Sequence, residues 1–161
     1  MNKSQHKIIN YINKLEGLNP YSDIISACTD ITGFGLLGHL SEMIESTNID
    51  QFKMNLEPIK IILELDKIPV YKDVYELLDK GFESSLAPSN EIFLKNIGVD
   101  KNSKIEIIYN DFSFDSSLYN NMLKILLDPQ TCGPLLISCS SINAEKLIKK
   151  GPWKKIGFVS K

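Results

Sequence analysis

The stretch "TDITGFGLLGHL", residues 29–40, constrains this chain more than any other. The short apolar run "DIISACTDI" (23–31) enters it with the character of a strand, and a helical pattern leaves it. Phe34, Leu37, Leu40, Met43 and Ile44 fall on one face of a helix over 34–46, with Ser41, Glu42 and Glu45 pointing outward. Between strand and helix lie Gly33, Gly35 and Gly38, in the spacing G-x-G-x-x-G.

Three readings of this stretch stay open on the residues alone. The spacing fits a dinucleotide-binding loop, which needs strand, glycines, helix and a second strand ending in an acid. The run "QFKMNLE" (51–57), with Phe52, Met54 and Leu56 alternating, offers that strand, and Glu57 offers the acid. Against it, Thr29, Asp30 and Thr32 precede the glycines, and a bare carboxylate repels a pyrophosphate unless a cation lies between. The second reading is structural. Thr32 caps the helix, Asp30 serves a turn or cap, Gly33 and Gly35 make a tight turn, and Gly38 lets helix and sheet approach. The third joins these parts. A carboxylate is a preferred ligand of Mg²⁺, which one or two carboxylates and substrate phosphates commonly hold. The N–H groups around Gly33 to Gly35, at a helix start, favour an anion nearby.

The rest of the chain reads as one α+β domain with no internal repeat. Helices are expected over 4–16, 58–68 (beginning at Pro58), 72–80, 116–127 and 141–150. A further helix follows "FESSLAPSN", with Ser89 or Asn90 as its N-cap. Strands are expected over 104–109, 134–139 and 153–159. The 161 residues are 43% hydrophobic, enough for a core without staples. The net charge of −2 offers no general attraction to nucleic acid or an anionic membrane. No signal peptide is expected from residues 1–7, no apolar run approaches a membrane span, and a cytoplasmic location is expected. All 18 basic residues are lysines, so a phosphate handled here needs backbone N–H groups, lysines or a metal rather than bidentate arginine clamps. Cys28, Cys132 and Cys139 have no zinc spacing and read as small buried hydrophobes. His39 reads as a helical residue packed on the sheet or bonded to backbone. Asp128 and Pro129 read as a turn before a strand.

Two long motifs carry a resemblance. "TDITGFGLLGHLSEM" (29–43) resembles the signature that opens the C-terminal domain of selenophosphate synthetases, also called selenide, water dikinases. "LLDPQTCGPLLIS" (126–138) resembles that family's "DPQTSGGLLIS". "GFESSLAPSN" (81–90) and "IGFVSK" (156–161) agree, in order. The resemblance runs from about residue 8 to the end, leaving 1–7 as an N-terminal extension and 8–161 as the domain. It implies an α+β domain of the aminoimidazole ribonucleotide synthetase type, partly ferredoxin-like. The implied reaction turns ATP, selenide and water into selenophosphate, AMP and phosphate.

By resemblance Asp30 is the metal-binding aspartate of this domain, helping to hold Mg²⁺ against ATP, and Thr32, Gly33 and Gly35 shape the loop at the nucleotide. The partner is the N-terminal domain, which holds most of the ATP site and the nucleophile; the full enzyme is expected to be a homodimer. None of the three cysteines matches the family's nucleophile, so no catalytic residue is carried over, and the chain alone is expected to be inactive. The resemblance leads to the expectation of an excised domain or one part of a split enzyme. Cys132-Gly133-Pro134 replaces the family's Ser-Gly-Gly, and Pro134 removes an N–H and a flexible hinge. The rival reading is a stand-alone binding or regulatory module of the same superfamily.

Overall fold

A computed structural model describes residues 25–97, 104–110, 116–129 and 133–160. The helix expected over 4–16 and Cys132 lie outside these residues. In chain order the elements are β1 (Ala27–Asp30), α1 (Gly35–Lys53), β2 (Lys60–Glu64), a 3₁₀ turn (Leu65–Lys67), α2 (Val74–Asp79), α3 (Ala87–Ile97), β3 (Ile105–Ile108), α4 (Ser116–Leu127), β4 (Leu135–Ser138), α5 (Ser141–Lys150) and β5 (Gly157–Ser160). The α+β class is as expected.

Among the described residues the strands form two small sheets. β1 pairs antiparallel with β4, and β2 lies between β3, parallel to it, and β5, antiparallel. A dinucleotide fold needs a parallel sheet continuing from the strand before the glycines. Here that strand has an antiparallel neighbour, so the G-x-G-x-x-G spacing is not a Rossmann loop.

The core forms where α1 and α4 meet the three-stranded sheet. Leu37, Leu40 and Ile44 of α1 recur at helical spacing and are buried. They meet Leu63 of β2, Leu65, Ile105 of β3, and Leu126 and Leu127 of α4. In β2 and β3, Ile61, Leu63, Ile105 and Ile107 all belong to this cluster, as alternate residues of two paired strands should. Phe34, expected on the buried face of α1, is instead half-exposed.

Residues 51–68 depart from the expectation. The predicted strand over 51–57 is absent: α1 continues to Lys53, and Glu57 is exposed in the loop beyond it. The predicted helix over 58–68 is replaced by β2 and the 3₁₀ turn. "KIILE" suits either state locally, and pairing on both edges decides it. Asn55, with φ of 55°, reverses the chain after the helix. Asn48 then fixes the entry to β2. Its Nδ2 donates to the Ile59 carbonyl at 3.0 Å, and its Oδ1 accepts from the Ile59 N–H at 2.8 Å. One side chain thus does for Ile59 what a neighbouring strand would do.

Replacing Asn48 by alanine leaves both Ile59 groups without their partner. The expected loss is about 1–3 kcal/mol, measured by urea unfolding. Asn48→Asp, which keeps the acceptor but loses the donor, should fall between alanine and the parent.

Candidate functional site

β1 enters the glycine loop, and its alternation places Cys28 and Asp30 on one exposed side of the strand. Asp30 pairs with Leu135 in the ladder, and the Ile31 N–H donates to the Pro134 carbonyl at 3.0 Å. The substituted Pro134 therefore keeps a structural contact that uses its carbonyl and not its missing N–H. The Asp30 side chain is exposed, and among the described residues its carboxylate has no hydrogen-bond or ion-pair partner. It is not spent on a cap or turn.

The loop closes through a turn in which the Gly35 N–H donates to the Thr32 carbonyl at 3.1 Å. Gly35 has φ of +67°, a left-handed conformation that favours glycine. A side chain there would also collide with α4: an added Cβ would lie 2.7 Å from the Leu127 carbonyl carbon and 2.8 Å from the Leu126 oxygen. Gly33, by contrast, is exposed and faces open space.

Asn90 locks the arrangement. It does not cap its helix, which starts at Ala87; it lies inside α3, buried. Its Nδ2 donates to the Gly33 carbonyl at 2.9 Å and to the Leu127 carbonyl at 2.8 Å. Three of the four stretches that carried the resemblance therefore meet here: 29–43 through Gly33 and Gly35, 81–90 through Asn90, and 126–138 through Leu127 and β4. Sequence reasoning missed Asn90. Its signal was available in the resembling segment "GFESSLAPSN", but a polar residue near a helix start is as readily a cap.

Two other expectations are corrected. Thr32 is not an N-cap. The cap position of α1 is Phe34, which offers no side-chain bond, and the Thr32 Oγ1 lies 2.8 Å from the His39 Nε2. His39 is buried, but its bonds run to side chains and not to backbone, since its Nδ1 lies 3.0 Å from the Glu42 Oε2. Neither Cys28 nor Cys139 is fully buried, as small core residues would be; Cys28 is exposed and Cys139 half-buried. Partial desolvation, and after it the Asp30 carboxylate, push the Cys28 thiol above its ordinary pKa. Both causes disfavour the thiolate, the opposite of what an activated nucleophile needs.

Asp30 fits one oxygen ligand of a hard cation, but the chain does not close a metal site by itself. Among the described residues no group of three or more His, Cys, Asp or Glu side chains gathers to hold an ion. An ion at Asp30 would need ligands from a bound phosphate or another polypeptide segment. Beside β1 an open groove of about 580 Å³ runs along α1, lined by Cys28, Thr29, Glu42 and Asp50 among others. No helix of the described residues is long and apolar enough to cross a membrane.

Gly35→Ala combines left-handed strain with a backbone collision and should cost at least about 3 kcal/mol in urea unfolding. Asn90→Ala leaves the Gly33 and Leu127 carbonyls without their donor and should cost about 2 kcal/mol. Asp30→Asn removes the charge beside Cys28, so the thiol pKa falls. At a fixed pH below that pKa, alkylation of Cys28, followed by peptide mass spectrometry, should become faster.

The model of the family "AIR synthase related protein, C-terminal domain" matches residues 4–150. Among sequence relatives, a selenide, water dikinase of Treponema denticola is 35% identical over 126 residues, which cover 78% of this chain and 28% of that protein. The selenide, water dikinase of Caldanaerobacter subterraneus subsp. tengcongensis is 32% identical over 145 residues, covering 89% of this chain and 35% of the relative. That of Pelobacter propionicus is 32% identical over 124 residues, with 77% and 29% covered. The chain thus spans about a third of the length of the relatives it matches. With the family model matching nearly its whole length, the chain belongs to the AIR synthase related protein, C-terminal domain family.

Proposed function

We propose that this chain is the C-terminal part of a selenide, water dikinase and supplies Asp30 to a Mg²⁺–ATP site shared with the remainder of the enzyme. The observation that carries this reading is the construction around Asp30. Three separated segments interlock to fix the loop that follows an exposed carboxylate with no partner among the described residues. A binding module that used Asp30 as a cap would bury or bond that carboxylate.

The division of labour follows from the chemistry. Mg²⁺, when bound, neutralises the crowded charge of the ATP phosphates during phosphoryl transfer. Asp30 would give it one oxygen ligand. Gly33, exposed and without a side chain, would let phosphate oxygens approach the loop backbone, and Gly35 would hold the turn. Thr32 would complete the polar surface of the loop. The chain has no arginine to clamp a phosphate, so metal and backbone would carry that task. The nucleophile, the other metal ligands and most of the ATP contacts would come from the N-terminal domain, with the complete enzyme a cytoplasmic homodimer. The isolated chain would then be inactive.

The test is reconstitution with the N-terminal domain from the same source, in Mg²⁺, ATP and selenide, following AMP. AMP should form only with both parts, and Asp30→Asn should lower the rate by roughly 100-fold. Folded, associating parts that make no AMP would count against the enzyme reading and favour a binding module. A mutant as fast as the parent would take Asp30 out of the metal site.

A further inference from the structure

Two residues after the proposed metal ligand, Thr32 begins a chain of three polar side chains, of which His39 and Glu42 have no role in that reading. His39, only 9% exposed, lies on α1 between Thr32 and Glu42, with its Nε2 2.8 Å from the Thr32 Oγ1 and its Nδ1 3.0 Å from the Glu42 Oε2. The Phe34 ring lies against the imidazole, centroids 5.8 Å apart. The order carboxylate, imidazole, hydroxyl has a direction. An ionised carboxylate only accepts, so Nδ1 carries a proton and donates to Glu42. In the neutral ring Nε2 then has a lone pair and accepts the Thr32 O–H. The Thr32 oxygen has no second hydrogen to give. Toward the loop it acts only as an acceptor.

We propose that Glu42 and His39 are positioning residues that hold Thr32 as a pure acceptor toward the cation side of the Asp30 site. The group it would receive is a water molecule on the hydrated cation, whose hydrogens point outward, and not a phosphate oxygen, which needs a donor. The same relation, a carboxylate fixing a histidine tautomer, orients ligands around many metal centres. Here it acts one bond further out, through a hydroxyl. The inference rests on the proposed cation at Asp30, and it narrows the role of Thr32 from part of the loop's polar surface to contact with the cation's water shell.

Two measurements test it. The first uses the chain alone, with ¹⁵N-labelled histidine and long-range ¹H–¹⁵N spectra; His39→Gln identifies the His39 signals against those of His6. At a pH high enough to leave the ring neutral, the Nδ1 of His39 should carry the proton and Nε2 should not, and Glu42→Ala should abolish that preference. A neutral ring with its proton on Nε2 overturns the proposal, because the Thr32 hydrogen is then free for a phosphate. The second reads the Mg²⁺ concentration for half-maximal AMP formation by the reconstituted enzyme. Thr32→Val should raise it roughly tenfold, Glu42→Ala about threefold, and Thr32→Ser by less than about twofold. A Thr32→Val enzyme with the parent's Mg²⁺ dependence, beside an impaired Asp30→Asn, overturns this inference and leaves the proposed function standing. An Asp30→Asn enzyme with the parent's dependence overturns both.

Discussion

The side-chain amide of Asn90 is the interaction on which the site depends. One nitrogen gives its two hydrogens to two carbonyls, that of Gly33 in the glycine loop and that of Leu127 at the end of α4. Both carbonyls belong to chain that has left regular pairing: a turn in one case, a helix C-terminus in the other. The bond would be impossible if loop and helix stood further apart, and Gly35 lets them meet, its backbone packed where any side chain would strike Leu127. A buried amide nitrogen that uses both its hydrogens and a close backbone contact hold one geometry because the alternatives leave polar groups unpaired. The consequence is that Asp30 enters a loop whose exit is fixed. Strand β1, held by β4, sets one end, and the clamp of α3 and α4 sets the other.

Parts of this were legible in the residues. The strand, glycine turn and helix over 29–46 follow from hydrophobic spacing and the glycines, and the ends of α4 and α5 fall where the pattern puts them. Ser140, whose Oγ accepts from the Asn143 N–H, caps α5 as serine is apt to do. The segment 51–68 was not legible. "QFKMNLE" alternates like a strand while its first residues finish a helix, and "KIILE" pairs on both edges with strands far away in sequence. Local spacing carries no information about those neighbours. The roles of Thr32, Asn90 and His39 were hidden for a related reason. Each residue type has a common local use, as cap or backbone partner, and only the tertiary arrangement shows that the side chains reach across to other elements.

The proposed site also accounts for the sparse chemistry of this short chain. It gathers no metal cluster among the described residues, its Cys28 thiol is pushed away from reactivity, and it has no arginine. Yet the chain spans only about a third of the selenide, water dikinases it resembles. In our account the division is physical: this family domain contributes a rigidly mounted carboxylate and a backbone surface, and the rest of the enzyme brings the charges that meet it.

That Asp30 on this loop ligates a nucleotide-bound cation is tested most directly with this chain isotope-labelled and combined with the N-terminal domain. Mn²⁺, a paramagnetic substitute for Mg²⁺, would be added with ATP while the backbone amide signals are followed by NMR. The amides of residues 29–35 should broaden first, and Asp30→Asn should remove the effect. Broadening centred on other acidic residues, or surviving unchanged in Asp30→Asn, would contradict it.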